Sequence, residues 1–137
     1  MAVENTIQFR VRYDEADQMG VVHHSRYLAF FELGRLELMR AAGLPPLGQE
    51  ERGQALTLKN IAVRYLAPAR YDDLLELRTR VEEVGEGEIV FKGRLVRVAT
   101  PPMPVAEATA VVAPITPDGS ARPFSPEELA AFGGNPT

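Results

Sequence analysis

The sequence contains no cysteine and no tryptophan, and only two histidines. Without cysteine there is no disulfide, no thiolate nucleophile and no Cys-ligated zinc. The two imidazoles, His23 and His24, are adjacent, so their side chains are expected to diverge and one to face any site. With no other His or Cys to complete a shell, a metal site is a poor reading of them. Basic charge is not in excess either. A net charge of −4 argues against a general nucleic-acid binder, while leaving room for a local basic patch that meets an anionic ligand. No apolar run approaches the roughly 18 residues of a membrane span, and no basic-then-apolar segment opens the sequence. The expected location is therefore the cytoplasm, without membrane insertion. No repeat or low-complexity segment is present.

What remains is an ordinary globular balance: 137 residues, 45% apolar and 25% charged. One domain over residues 1–137 is expected, with a core at about 6–116 and a tail at 117–137. So small a core gains from oligomerisation.

The chain opens on an alternating segment, residues 6–13, with Ile7, Phe9, Val11 and Tyr13 on one face and Gln8, Arg10 and Arg12 on the other. Asp14 to Gly20 reads as a turn or loop. From Arg26 to Ala42 the pattern becomes helical and apolar on most sides, which predicts burial nearly all round. Ser25 suits the N-cap and Gly43 the stop. Gly34, in mid-helix, predicts the close approach of another backbone.

Four strand candidates follow, at 54–66, 73–84, 88–99 and 105–115. In the first, apolar parity switches at Lys59–Asn60, which predicts a bulge or a strong bend. Gly85-Glu86-Gly87 makes a hairpin of the next two. Ala106, Ala108 and Ala110 form a small-residue face that lets a helix lie close. Ser125-Pro126-Glu127-Glu128 starts a short helix with proline at its first position. A long helix apolar on most sides needs a sheet that curls over it. The class is α+β, one curved five-stranded antiparallel sheet wrapped around one long central helix. Its open edges predict a dimer.

The candidate chemistry gathers in the stretch from Asp14 to Ala42, where a polar loop feeds the helix. Asp17 reads as a turn former, or as a carboxylate kept ionised near the helix N-terminus as base or nucleophile. Gly20 permits a substrate to approach the backbone. A Ser25–His24–Asp17 triad is disfavoured, because the residues are nearly consecutive and no G-x-S-x-G elbow exists. The first-turn N–H groups near His24 suit a thioester oxyanion better. Lys59, Arg64 and Arg70 read equally as phosphate ligands or as solvated charge. Asn60 stands at the predicted bend and either reaches a ligand or satisfies the bulge. Glu32 and Arg35 are an i, i+3 pair. Tyr27, Leu28, Phe30 and Phe31 line an apolar tunnel or, by default, the core.

At these residues a family resemblance emerges. The run V-R-Y-D-E-A-D-Q-M-G-V-V-H-H-S-R-Y-L-A-F-F-E, Val11 to Glu32, resembles the signature D-x-D-x-x-G-V-V-Y-H-x-x-Y-x-x-[FY]-x-E. That signature belongs to hotdog-fold acyl-CoA thioesterases of the 4-hydroxybenzoyl-CoA thioesterase-like family, here nearest the Tol-Pal-associated branch. Asp17, Gly20, Val21, Val22, His24, Tyr27 and Glu32 occupy matching positions. Arg64 to Leu77 resembles the family's strand-turn-strand segment. Glu15 replaces the first Asp of D-x-D, and His23 replaces an aromatic, which alters the acyl pocket.

The resemblance implies the hotdog fold and hydrolysis of an acyl-CoA to free acid and CoA, with no metal or separate cofactor. Asp17 would be nucleophile or general base. His24 would orient substrate or water, with its backbone N–H polarising the carbonyl. Gly20, Val22, His23, Tyr27, Glu32, Asn60, Arg64 and Arg70 are the candidate substrate contacts. A homodimer with the site at its interface, and a homotetramer beyond it, are expected. An acyl-carrier-protein thioesterase and a non-catalytic acyl-CoA-binding protein are the alternatives, separable by carrier-protein preference and by a panel of acyl-CoAs.

Overall fold

The computed structural model describes residues 3–133. Strand β1 spans Glu4–Arg10, helix α1 Arg26–Ala41, β2 Leu56–Tyr65, β3 Leu74–Val84, β4 Ile89–Arg97, β5 Met103–Pro114 and helix α2 Pro126–Ala131. The five strands make one antiparallel sheet in the order β1-β3-β4-β5-β2. The expected class and element order hold.

β1 is shorter than its alternation suggests. Ile7 and Phe9 pack inward and Val11 is buried beyond the strand end. The chain then tightens into a 3₁₀ turn at Tyr13–Glu15, so Tyr13 leaves the apolar face and is 81% exposed.

α1 buries Tyr27, Phe30, Phe31, Gly34, Leu38 and Met39. Leu28 and Leu33 are exposed, against the expectation of burial on most sides. One sheet covers one side of a helix, and the opposite side of α1 stays open. At Gly34 the close neighbours are side chains and not a backbone. A Cβ there would stand 2.5 Å from Thr79 Oγ1 and 2.6 Å from Leu77 Cδ2. Gly93 on β4 serves the same fit, since a Cβ there would stand 2.6 Å from the Phe31 ring. The helix therefore seats over β1, β3 and β4 through these two glycines, and not over the β5 alanines as expected.

The predicted bulge is present. Pairing of β2 with β5 slips between Leu58 and Asn60, leaving Lys59 as the extra residue. Leu58, Ile61, Val63 and Tyr65 then share the helix side, while Asn60, Ala62 and Arg64 point to the outer face.

The tail is part of the core. Phe124 and Phe132 are buried with Leu38, Met39 and Phe91. α2 begins with the expected serine cap: Ser125 Oγ accepts the Glu128 N–H at 3.1 Å, and Glu128 Oε1 accepts the Ser125 N–H at 2.9 Å. Glu128 is fully buried and meets Arg122 in a two-pronged pair, at 2.7 and 3.0 Å. The same guanidinium donates to the carbonyls of Ile115 and Ala55, at 2.8 and 2.9 Å. Every strong group in this buried cluster has a partner, so tail, β5 and the entry to β2 are locked together.

Candidate active site

The loop after β1 closes on itself. Ala16 and Val22 form an antiparallel bridge, and Asp17 and Val21 join by an N–H to carbonyl bond of 2.9 Å. The turn within it needs a positive φ, which Gly20 supplies at +78°. Open space surrounds the absent Cβ of Gly20, in keeping with an approach path. The loop is pinned from outside by the segment joining β2 to β3. Val22 N–H donates to Ala69 O at 2.8 Å, Tyr71 N–H to Gly20 O at 3.2 Å, and Val21 bridges Arg70.

Asp17 is exposed, and its Oδ1 accepts the N–H groups of Met19 at 2.8 Å and Val21 at 3.4 Å. These amides belong to its own turn and not to the first turn of α1, where the sequence places its stabilisation. The carboxylate is oriented by an Asx-type turn. Oδ2 has no hydrogen-bond partner among the described residues and is free to meet a carbon atom or a water.

The two histidines stack instead of diverging, with ring centroids 4.1 Å apart and planes at 33°. Ser25 does not cap the helix. It takes helical angles, and its hydroxyl turns back to His23 Nδ1 at 2.8 Å. Ser25 N–H donates to the same Nδ1 at 3.2 Å, so a neutral His23 ring carries its proton on Nε2. No side chain caps the first turn of α1. Among the described residues no group accepts the His24 N–H. An uncapped helix start with a free amide favours an incoming oxyanion.

Sequence reasoning missed Tyr65. Its hydroxyl donates to His24 O at 2.9 Å, tying the helix start to the end of β2. Strand parity through the bulge is the signal that puts Tyr65 on this side. Ala69 was missed as well; its carbonyl holds Val22, and its N–H donates to Tyr27 Oη at 3.1 Å.

The remaining expected contacts divide. Arg70 is brought to the loop by its bridge with Val21. Glu32 lines a shallow cavity of about 70 Å³ between α1 and the sheet, with Leu28, Phe31 and Arg35 on the helix, Leu58 and Ile61 on β2, and β3 to β5 behind them. Burial lowers the pKa of the Arg35 guanidinium, opposed by the nearby Glu32 carboxylate. The two make no ion pair among the described salt bridges. Tyr27 and Val22 are core residues, 3% and 6% exposed. Burial raises the Tyr27 pKa, and the Ala69 amide opposes that. Asn60 and Arg64 lie on the outer face, because the bulge sends their parity away from α1.

The chain is similar to known proteins in sequence and in fold. The thioesterase-like superfamily matches residues 11–132. The chain is 40% identical over 98 residues to an acyl-CoA thioesterase, YbgC, of Haemophilus influenzae, covering 69% of this chain and 72% of that protein. It resembles the crystal structure of a hypothetical protein from Thermus thermophilus with a TM-score of 0.85 and 31% identity, covering 95% of each. A 4-hydroxybenzoyl CoA thioesterase complexed with 4-hydroxybenzoyl CoA shares the fold at a TM-score of 0.87 and 20% identity, over 96% of this chain and 99% of that one.

Proposed function

The chain belongs to the thioesterase-like superfamily, and from that membership we propose an acyl-CoA thioester hydrolase in which Asp17 carries the chemistry. One observation supports the assignment above the rest. Asp17 offers a free Oδ2 on a loop that leads into an uncapped helix start with an unused His24 N–H. A thioester carbonyl oxygen accepts that N–H as negative charge grows on it. Oδ2 then adds to the carbonyl carbon, or takes a proton from a water that adds. The carbon–sulfur bond breaks and CoA leaves as the thiolate, to be protonated. Addition by Oδ2 leaves an anhydride, which water opens to free acid and Asp17. No metal or separate cofactor enters either route.

The acyl group lies along the α1–β2 cavity past Leu28 and Glu32. Tyr65 is a positioning residue that holds the His24 turn. The enzyme works as a homodimer, and pairs of dimers form a tetramer. Exposed Leu28 and Leu33 on α1, and Tyr13, Met19 and Tyr71 around the loop, are the apolar surface a second copy covers. No helix among the described residues is long and apolar enough to cross a membrane, and the cytoplasm is the proposed location.

The test is thiol release from a panel of acyl-CoAs and matched acyl carrier proteins, from short aliphatic to aromatic. Wild type releases CoA from at least one member, and Asp17→Asn loses nearly all turnover with an unchanged circular dichroism spectrum. Full activity in Asp17→Asn would remove Asp17 from the mechanism. Binding of CoA without any turnover would replace the hydrolase with a binding protein.

A further inference from the structure

The side of the sheet turned away from α1 carries a built charge pattern. Register places Thr79, Gly93 and Ala108 side by side on β3, β4 and β5. Thr79 and Ala108 are buried toward the helix and Gly93 has no side chain, so on the outer side this row is bare backbone. The flanking rows stand up as walls. Arg78, Arg94, Glu107 and Arg64 are successive partners along one wall, and Glu4, Arg80, Lys92, Thr109 and Ala62 along the other. The walls are two residues apart on either strand, roughly 7 Å. Together they enclose a trough of about 590 Å³.

Two like-charge pairs, Arg78 opposite Arg94 and Arg80 opposite Lys92, face each other across this trough. Directly opposed like charges destabilise a sheet. Glu76 pairs with Arg78, and Glu82 with Arg80. Lys92, Arg94 and Arg64 have no ion pair among the described salt bridges. Glu4 and Glu107 are the acids in the lining, against five cations. The lining thus keeps more cations than acids, an excess of positive charge that an anion complements.

We propose that this trough binds a small molecule bearing two phosphate groups. Its concavity and its volume, inside the roughly 300–1,000 Å³ of small-molecule sites, favour a compact ligand over a flat protein surface. Guanidinium forks match phosphate oxygens in pairs, and two cationic walls supply one set of donors for each phosphate. The site is on the opposite sheet face from the α1–β2 cavity, so it stands independently of the proposed hydrolysis. The same chemistry is offered by the nucleotide end of CoA and by a free polyphosphate.

Calorimetry at low ionic strength tests this, with inorganic diphosphate, adenosine 3′,5′-bisphosphate and CoA as separate probes. Wild type is expected to bind diphosphate, and Arg78→Ser/Arg94→Ser to bind it at least about tenfold more weakly. The Lys59→Ser control retains wild-type binding. Tighter binding of the bisphosphate and CoA than of diphosphate identifies the nucleotide source; equal or weaker binding identifies a free polyphosphate. Should the double variant fail to fold, Lys92→Gln gives the same reading. The proposal is overturned if wild type ignores diphosphate or if the variants bind it unchanged. It is equally overturned if they instead change the sedimentation of the protein, which would make the face a contact between copies.

Discussion

The hydroxyl of Tyr65 donates to the backbone carbonyl of His24 at 2.9 Å, joining residues 41 apart in the chain. The bond fixes the end of β2 to the turn that starts α1. It also holds the peptide unit that precedes the helix, beside the His24 N–H assigned to the thioester oxygen.

Tyr65→Phe removes that bond and keeps the ring. A net loss of about 0.5–1.5 kcal/mol in positioning is expected, which lowers kcat roughly 2- to 13-fold. The melting temperature should scarcely move, because Tyr65 is half exposed. Unchanged kcat with a wild-type acyl-CoA profile would show that the His24 turn needs no such support.

Gly34→Ala sets two effects against each other. Helix propensity alone favours alanine by about 1 kcal/mol. The added Cβ would stand 2.5 Å from Thr79 Oγ1 and 2.6 Å from Leu77 Cδ2, both buried side chains of β3. Overpacking of this kind costs about 1–3 kcal/mol, so a net loss of stability is expected in urea unfolding. A higher midpoint would show that α1 can shift freely over β3.

Glu128→Ala strips the buried Arg122 guanidinium of its carboxylate. Breaking such a pair costs about 3–5 kcal/mol. Replacing both, Arg122→Met with Glu128→Leu, should cost much less, because no charge is then left unpaired. Denaturant midpoints for the two variants decide the matter; equal losses would mean that packing, and not charge, dominates there.

Tyr27 makes stability depend on alkaline pH. Burial raises its folded-state pKa above the usual value of 10.0. The unfolded chain therefore loses this proton first. The associated stability is fully present below pH 10 and falls as pH rises toward the folded-state pKa. Tyr27→Phe should flatten that alkaline limb. At neutral pH the variant should lose about 1–3 kcal/mol, because the buried Ala69 N–H has no other acceptor. Parallel slopes for the two proteins between pH 9 and 11 would remove Tyr27 as the cause.

The sheet, the helix and the hairpin are legible because each has its own hydrophobic period, and that period is local. Leu75, Leu77, Thr79 and Val81 announce β3 with no help from the rest of the molecule. The short helix at Ser125 is legible for the same reason, since its cap is a contact over three residues. The site is less so. Asp17 and His24 stand out as residue types, but stacking of His23 on His24 and the turn of Ser25 toward His23 are outcomes of side-chain competition within one loop. Tyr65, Ala69 and Arg70 join the site only through the closure of β2 and β3 onto it. Arg64 and Asn60 fall on the outer sheet face, a placement set by strand parity through the bulge and not by residue type. The buried Glu128 escaped notice because an acidic residue in the first turn of a helix ordinarily faces water.

The extra residue at Lys59 has a reach well beyond its own position. It delays the strand by half a period. Had the strand kept step, Arg64 would arrive on the helix side and Tyr65 on the other. The latch on His24 and the cation at the end of the outer trough are thus two results of one phase slip. A strand that kept Lys59 paired in step would exchange them, with the same length and composition but each side chain delivered to the wrong address.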